Sequence, residues 1–185
     1  MMGQLTLPGS LGPLRARGTQ ERLALDASKS GPEGKEQIMS EQNKALARRA
    51  IEEVFNQGKL EAIHELTAGN AVFHDPSVPG GKFEGPEGFK QFTQIYRNAF
   101  PDIKLTINDQ IAEGDKVVTR WTGTGTHKGE LMGIPPTGKH STVTGITLQR
   151  FEGGKVAESW FNYDNLGMLQ QLGVVPTMTP AGTKV

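Results

Sequence analysis

The chain contains no cysteine, so thiolate nucleophiles, cysteine-ligated zinc and disulfides are excluded, and its chemistry has to come from other side chains. His74-Asp75 ends a short apolar run, His127 follows a threonine-rich stretch, and Asp164 stands four residues after Trp160. Histidine and carboxylate suit zinc or iron, so His74, Asp75, His127 and Asp164 are a conceivable ligand set. No two of them lie at helical ligand spacing, and the reading is no metal. The run Gly129 to Gly138 is glycine-rich but has no Gly-Lys-Ser/Thr ending and no following helix, and Pro135-Pro136 removes two donors. It reads as a shaped hairpin loop at a pocket mouth or subunit seam, not as a phosphate cradle. His74 and His127 each have a plain alternative as structural histidines that fix a loop. His140, at a strand start, reads as a surface residue. Glu158 and Arg120 could pair, but opposite charges on strands are more often cross-strand surface pairs.

The elements that must position these residues come in two blocks. From Glu41 to Gln57, Leu46, Ala50, Ile51, Val54 and Phe55 recur at helical spacing, with Ser40 as the expected N-cap and Gly58 at the C-terminal position. A short second helix passes through Ile63 and Leu66. Ala71 to His74 is a short strand, and the stretch to Phe83 reads as a loop. Gly85-Pro86-Glu87 opens a helix whose apolar stripe is Phe89, Phe92, Ile95, Tyr96 and Ala99, stopped by Pro101. After Pro101 the period changes to two: Ile103 to Ile107, Val117 to Thr126, Thr142 to Phe151 and Val156 to Tyr163 read as strands, with Gly153-Gly154 as a hairpin turn. A closing helix covers Leu166 to Leu172. Helices followed by an antiparallel meander predict an α+β domain with helices over one face of a curved sheet.

The 185 residues carry 20 basic and 20 acidic side chains. With no net charge, an electrostatic grip on nucleic acid or an anionic membrane is not expected. No run approaches the roughly 18 apolar residues of a membrane span, so the expectation is a soluble, cytoplasmic protein. Residues 1–40 read as a disordered extension, because the glycines and prolines of the first 38 residues break every candidate apolar period. Arg15 and Arg17 without an early acid faintly suit an organelle transit peptide, and Met39 is an alternative start. Residues 41–174 form the domain, and 175–185 a flexible tail.

Phe73-His74-Asp75-Pro76, Ala99-Phe100-Pro101-Asp102, Gly125-Thr126-His127-Lys128-Gly129-Glu130, Gly133-Ile134-Pro135-Pro136-Thr137-Gly138-Lys139 and Gln170-Gln171-Leu172-Gly173 occur in this order, with Trp160 and Asp164. Taken together they resemble the SnoaL-like polyketide cyclases, or ester cyclases, of the nuclear transport factor two-like superfamily. The resemblance covers about residues 42–174. It implies a cone-shaped half-barrel of curved antiparallel sheet covered by N-terminal helices, an internal pocket, and a homodimer formed across the sheet.

Cyclases of that family close a ring by intramolecular aldol condensation without metal or organic cofactor, using an aspartate on the last strand as acid/base. Asp164 is the matching position. If the strand runs unbroken, Asp164 shares a face with Asn162, Trp160, Glu158 and Val156. A carboxylate beside an indole in an apolar pocket would be partly desolvated and pushed toward the pKa of a general base. The alternative is that Asp164 only caps the closing helix. The family pairs this aspartate with a histidine on the preceding strand, where the stretch 142–151 has Arg150 and no histidine, so His74 and His127 are the candidate replacements. Phe73, Trp121, Arg120, Glu158, Trp160 and Asn162 are the expected pocket residues.

The leading reading is therefore a cofactor-free cyclase or isomerase acting on an apolar, oxygen-bearing small molecule. A second reading is a non-catalytic ligand-binding or dimerisation module. A third is an epoxide hydrolase, which needs two carboxylates and a basic group around one water and could draw on Asp164, Glu158 and Arg120.

Overall fold

Pro32 and Glu33 start the first helix eight residues before Ser40, because proline is pre-set for the first helical turn and an acid there meets the positive end of the helix dipole. In the computed structural model, which describes residues 31–177, α1 spans Pro32–Arg49. Ser40 is therefore interior to the helix and not its cap, a correction both to the expected start and to the disorder expected as far as residue 40. The rest of the expected extension, residues 1–30, lies outside the described residues, as do residues 178–185 of the tail.

The helix runs on as a π-helical stretch, Ala50–Asn56, whose wider turn places Ala50, Ile51 and Phe55 on a cavity wall. It ends at Gly58, which takes φ 73°. The Arg97 guanidinium donates to the open carbonyls of Phe55 and Asn56, which satisfies groups that a helix end otherwise leaves bare. Asn56 ties this end to the sheet: its Nδ2 donates to Leu105 O at 3.0 Å and its Oδ1 accepts from Leu105 N at 2.8 Å.

Next come α2 (Ala62–Leu66), β1 (Thr67–His74), β2 (Lys82–Glu84) and α3 (Gly85–Ala99). Then β3 (Lys104–Glu113), β4 (Lys116–Thr126), β5 (His140–Glu152) and β6 (Lys155–Tyr163) lead to α4 (Asn165–Leu172). The six strands form one sheet in the order β2-β1-β6-β5-β4-β3. Strands β3 to β6 are the expected antiparallel meander. Beside β6 lies β1, in a parallel pairing that the local alternation does not announce, and β2 pairs with β1 where a loop was expected. Register breaks in the β1–β6, β3–β4 and β5–β6 pairings accompany the curvature of this unclosed sheet. The fold is mixed α+β, with helices against one face. Among the described residues no helix is long and apolar enough to cross a membrane.

At one end of the core Phe89, Phe73, Phe83 and Phe92 stack in series, with centroids 4.8, 4.9 and 4.8 Å apart and planes within 17° of parallel. Phe73 is 1% exposed. This stack joins α3 to β1 and β2, and Phe161 of β6 meets it at 5.6 Å from Phe92. Offset contacts between large rings add to the apolar area they bury.

Candidate active site

Alternation along β4 turns Thr119, Trp121, Gly123 and Gly125 toward the helices, and along β5 it turns Ser141, Val143, Thr147 and Gln149 the same way. Phe161 and Tyr163 do so from β6. Between this inner face, the π-helical stretch and α3 lies a cavity of ≈ 110 Å³, bounded by Met168 of α4. Its helix side is Ala47, Ala50, Ile51, Phe55, Phe89, Phe92 and Tyr96, so most of the wall is apolar.

Glycines make the space. Trp121 lies across its cross-strand partner Gly145, and any Cβ at 145 would collide with the indole. A Cβ at Gly123 would stand 2.9 Å from Leu105, and one at Gly125 3.0 Å from Phe100. The indole Nε1 donates to Thr147 Oγ1 at 3.0 Å, and Gln110 Nε2 donates to Thr119 Oγ1 at 3.0 Å. Both threonine hydroxyls are thus engaged as acceptors and keep their own protons to donate.

A second polar region holds two phenols. Tyr96 and Tyr163, both in the cavity wall, have hydroxyls 2.6 Å apart. The Tyr163 hydroxyl also lies 2.5 Å from Ser77 Oγ and 3.3 Å from Asp75 Oδ2. Asp75 is 0% exposed, and its Oδ1 accepts from Ser77 N at 2.8 Å and Ser77 Oγ at 2.6 Å. Burial pushes the pKa of both phenols above the ordinary tyrosine range, and the neighbouring Tyr96 adds to this at Tyr163. Both stay protonated at neutral pH.

The sequence-derived candidates are distributed as follows. Asp164 is the N-cap of α4, and its Oδ1 accepts from Gly167 N at 2.8 Å. It is exposed and stands next in chain to Tyr163, one turn before Met168; those two are wall residues and Asp164 itself is not. His74 lies on the outer face of the sheet, stacked on Trp160 at 5.3 Å, with Nε2 2.9 Å from Glu158 Oε1. His127 is wholly buried against Phe100, and its Nδ1 accepts from Thr137 N at 3.3 Å. Among the described residues its buried Nε2 has no hydrogen-bond partner, and His127 is not a wall residue. His140 is exposed, as expected.

Of the six expected pocket residues, Trp121 is in the wall. Phe73 belongs to the aromatic stack. Glu158, Trp160 and Asn162 are turned to the outer face, and the reason is one residue. Arg150 pairs with Glu158 but Phe151 pairs with Val156, which leaves Ala157 as a bulge. Val156 points inward before the bulge, and beyond it Ser159, Phe161 and Tyr163 point inward instead. Arg120 is exposed opposite Ile146. Glu158 is paired with His74 and with Arg150 at 3.4 Å, which hold its carboxyl below the ordinary carboxylate range, and not with Arg120. The two carboxylates and arginine of the hydrolase reading are therefore not brought together. Among the described residues no three histidine, aspartate or glutamate side chains gather as a metal site. What the sequence reading missed is Asp75, Ser77, Tyr96 and Tyr163 as a group. The alternation of Phe161 and Tyr163 was the available signal for the last of them.

This fold and cavity agree with what the chain is similar to. Residues 45–172 match the family model described as SnoaL-like polyketide cyclase, and the chain belongs to that family. It is 32% identical over 143 residues to the aklanonic acid methyl ester cyclase DnrD of Streptomyces peucetius, covering 74% of this chain and 94% of that protein. The cyclase DauD of Streptomyces sp. strain C5, with the same descriptive name, is 31% identical over 143 residues, covering 74% and 84%. Among solved structures, IdmH of Streptomyces antibioticus superposes with a TM-score of 0.63 at 37% identity, covering 71% of this chain and 99% of that one. A SnoaL-like protein from Jannaschia sp. CCS1 gives 0.69 over 80% and 98% at 23% identity, a likeness of fold alone.

Proposed function

We propose that this chain closes a ring in an apolar, carbonyl-bearing molecule by an intramolecular aldol reaction, using acid/base side chains and no cofactor. The observation that supports the reading is the cavity itself: aromatic and aliphatic walls of the kind that take an apolar skeleton, interrupted by hydroxyls able to hydrogen-bond its oxygens. The two curated relatives are named as cyclases of aklanonic acid methyl ester, and the methyl ester of a carbonyl-bearing polyketide is the substrate class proposed here. Asp164 is the proposed acid/base at the edge of the site. One carboxylate oxygen is held by the Gly167 amide, which fixes the group while leaving the other oxygen for proton transfer. Wall residues Tyr163 and Met168 flank it in the chain.

Two copies are proposed to pair through the outer face of the sheet, where Ile146 is 49% and Ile111 67% exposed. Native mass spectrometry of the purified chain tests ligand class and assembly in one spectrum. The expected ion has twice the 20.0 kDa chain mass plus a small apolar, oxygen-containing molecule, lost on mild activation. A monomer would remove the dimer, and a retained molecule that is strongly charged, such as a nucleotide, would remove the substrate class.

A further inference from the structure

Counting protons along the phenol network gives it a direction. Asp75 receives three donors, Ser77 N, Ser77 Oγ and the Tyr163 hydroxyl, as an ionised, acceptor-only carboxylate does. Ser77 has one hydroxyl proton and gives it to Asp75 Oδ1, so Ser77 Oγ can only accept at its 2.5 Å contact with Tyr163. The Tyr163 proton is thus directed at Ser77 and Asp75, and the Tyr163 oxygen must accept from Tyr96 at 2.6 Å. Every proton is committed toward Asp75. At the cavity end of the chain this leaves a lone pair on the oxygen of Tyr96, which is a wall residue.

We infer that Tyr96, Tyr163, Ser77 and Asp75 form a proton relay whose cavity end is an acceptor at Tyr96, with buried Asp75 as the remote base. The inference rests on the acid/base reading above and supplies the second group for it, at a site with no histidine. In the relay step the ligand loses a proton to the Tyr96 oxygen, the Tyr96 proton passes to Tyr163, the Tyr163 proton to Ser77 and the Ser77 proton to Asp75. Asp75 becomes a neutral acid, and the ligand keeps the electron pair of the broken bond as an enolate. The alkoxide formed when the enolate attacks the second carbonyl takes its proton from the Asp164 carboxyl, and reversal of the hops then returns the Asp75 proton through the cavity to the Asp164 carboxylate. No oxidant or co-reactant is needed. The acceptor end also selects ligands: it favours an O–H at this point over an ether or a bare ring.

The test uses the full chain and two readouts. The first is binding of 2-naphthol against 2-methoxynaphthalene and naphthalene, followed by quenching of tryptophan fluorescence, since Trp121 is in the wall. The wild type should prefer the naphthol by about tenfold, the worth of one hydrogen bond made in a dry site, and Tyr96→Phe should abolish that preference while still binding naphthalene. The second readout is turnover of a carbonyl-bearing polyketide ester: Tyr96→Phe and Asp75→Asn should each lower kcat by about 10²-fold with little change in KM. Tyr96→Phe removes one hydroxyl and keeps the ring packing, so it covers the case in which Asp75→Asn fails to fold. Equal binding of all three naphthalenes by the wild type, or full turnover by Tyr96→Phe, overturns the relay. A wild type that prefers naphthol but turns nothing over keeps the acceptor site and overturns the acid/base reading on which the relay step rests.

Discussion

Asp164→Asn lowers turnover by about 10²- to 10⁴-fold, roughly 3 to 5 kcal/mol of transition-state stabilisation, while the melting temperature stays close to that of the wild type. The separation follows from what Asp164 does in the fold. It caps α4 through Gly167 N and is exposed, and asparagine caps a helix about as well as aspartate, so the structural cost is a few tenths of a kcal/mol or less. What the amide lacks is the ability to take and return a proton. Steady-state kinetics and a thermal melt on the same preparation check both halves. Full activity in the variant ends the acid/base assignment, and a large drop in melting temperature shows that the residue serves the fold instead.

Phe73→Ala destabilises the domain by about 3 to 5 kcal/mol, the usual cost of removing a buried aromatic ring and leaving a cavity. Phe73 sits between Phe83 at 4.9 Å and Phe89 at 4.8 Å and is 1% exposed, so its loss interrupts the stack that joins α3 to β1 and β2. At about 2 to 4 °C per kcal/mol for a domain of this size, the melting temperature should fall by roughly 10 °C. Chemical denaturation should show a lower midpoint with an unchanged slope. A shift within the range of a surface substitution would mean that the stack does not organise this end of the core.

Much of this architecture was legible because its signals are local. Threonine-rich alternation marks β4 and β5, Gly153-Gly154 marks the turn from β5 into β6, and Gly85-Pro86 marks the start of α3. The site was harder for reasons that are equally physical. A single bulged residue, Ala157, reverses which face β6 turns inward, and alternation read from the sequence has no way to register one inserted residue. Trp160 and Glu158 were thereby expected in the pocket and Phe161 and Tyr163 were not. Tyr96 was legible as part of an apolar helix face, but the position of its hydroxyl depends on β6 approaching from the far end of the chain. Asp75-Pro76 reads as the end of a strand. Only the turn that brings Ser77 back onto Asp75 Oδ1 makes it a buried carboxylate facing inward.

Ring closure by the purified wild-type chain is the most direct measurement. A carbonyl-bearing polyketide ester is incubated with the chain and, in parallel, with heat-denatured chain and with Asp164→Asn, and products are followed by chromatography with mass detection and proton NMR. Aldol closure makes one carbon–carbon bond and moves one proton, so the predicted product is an isomer of unchanged mass, or lighter by one water after dehydration. It should form without added metal or nucleotide, not with the denatured chain, and at least about 10²-fold more slowly with Asp164→Asn. Binding of the ester in the cavity with no isomer formed above the denatured control would contradict the account and leave a ligand-binding module on this fold.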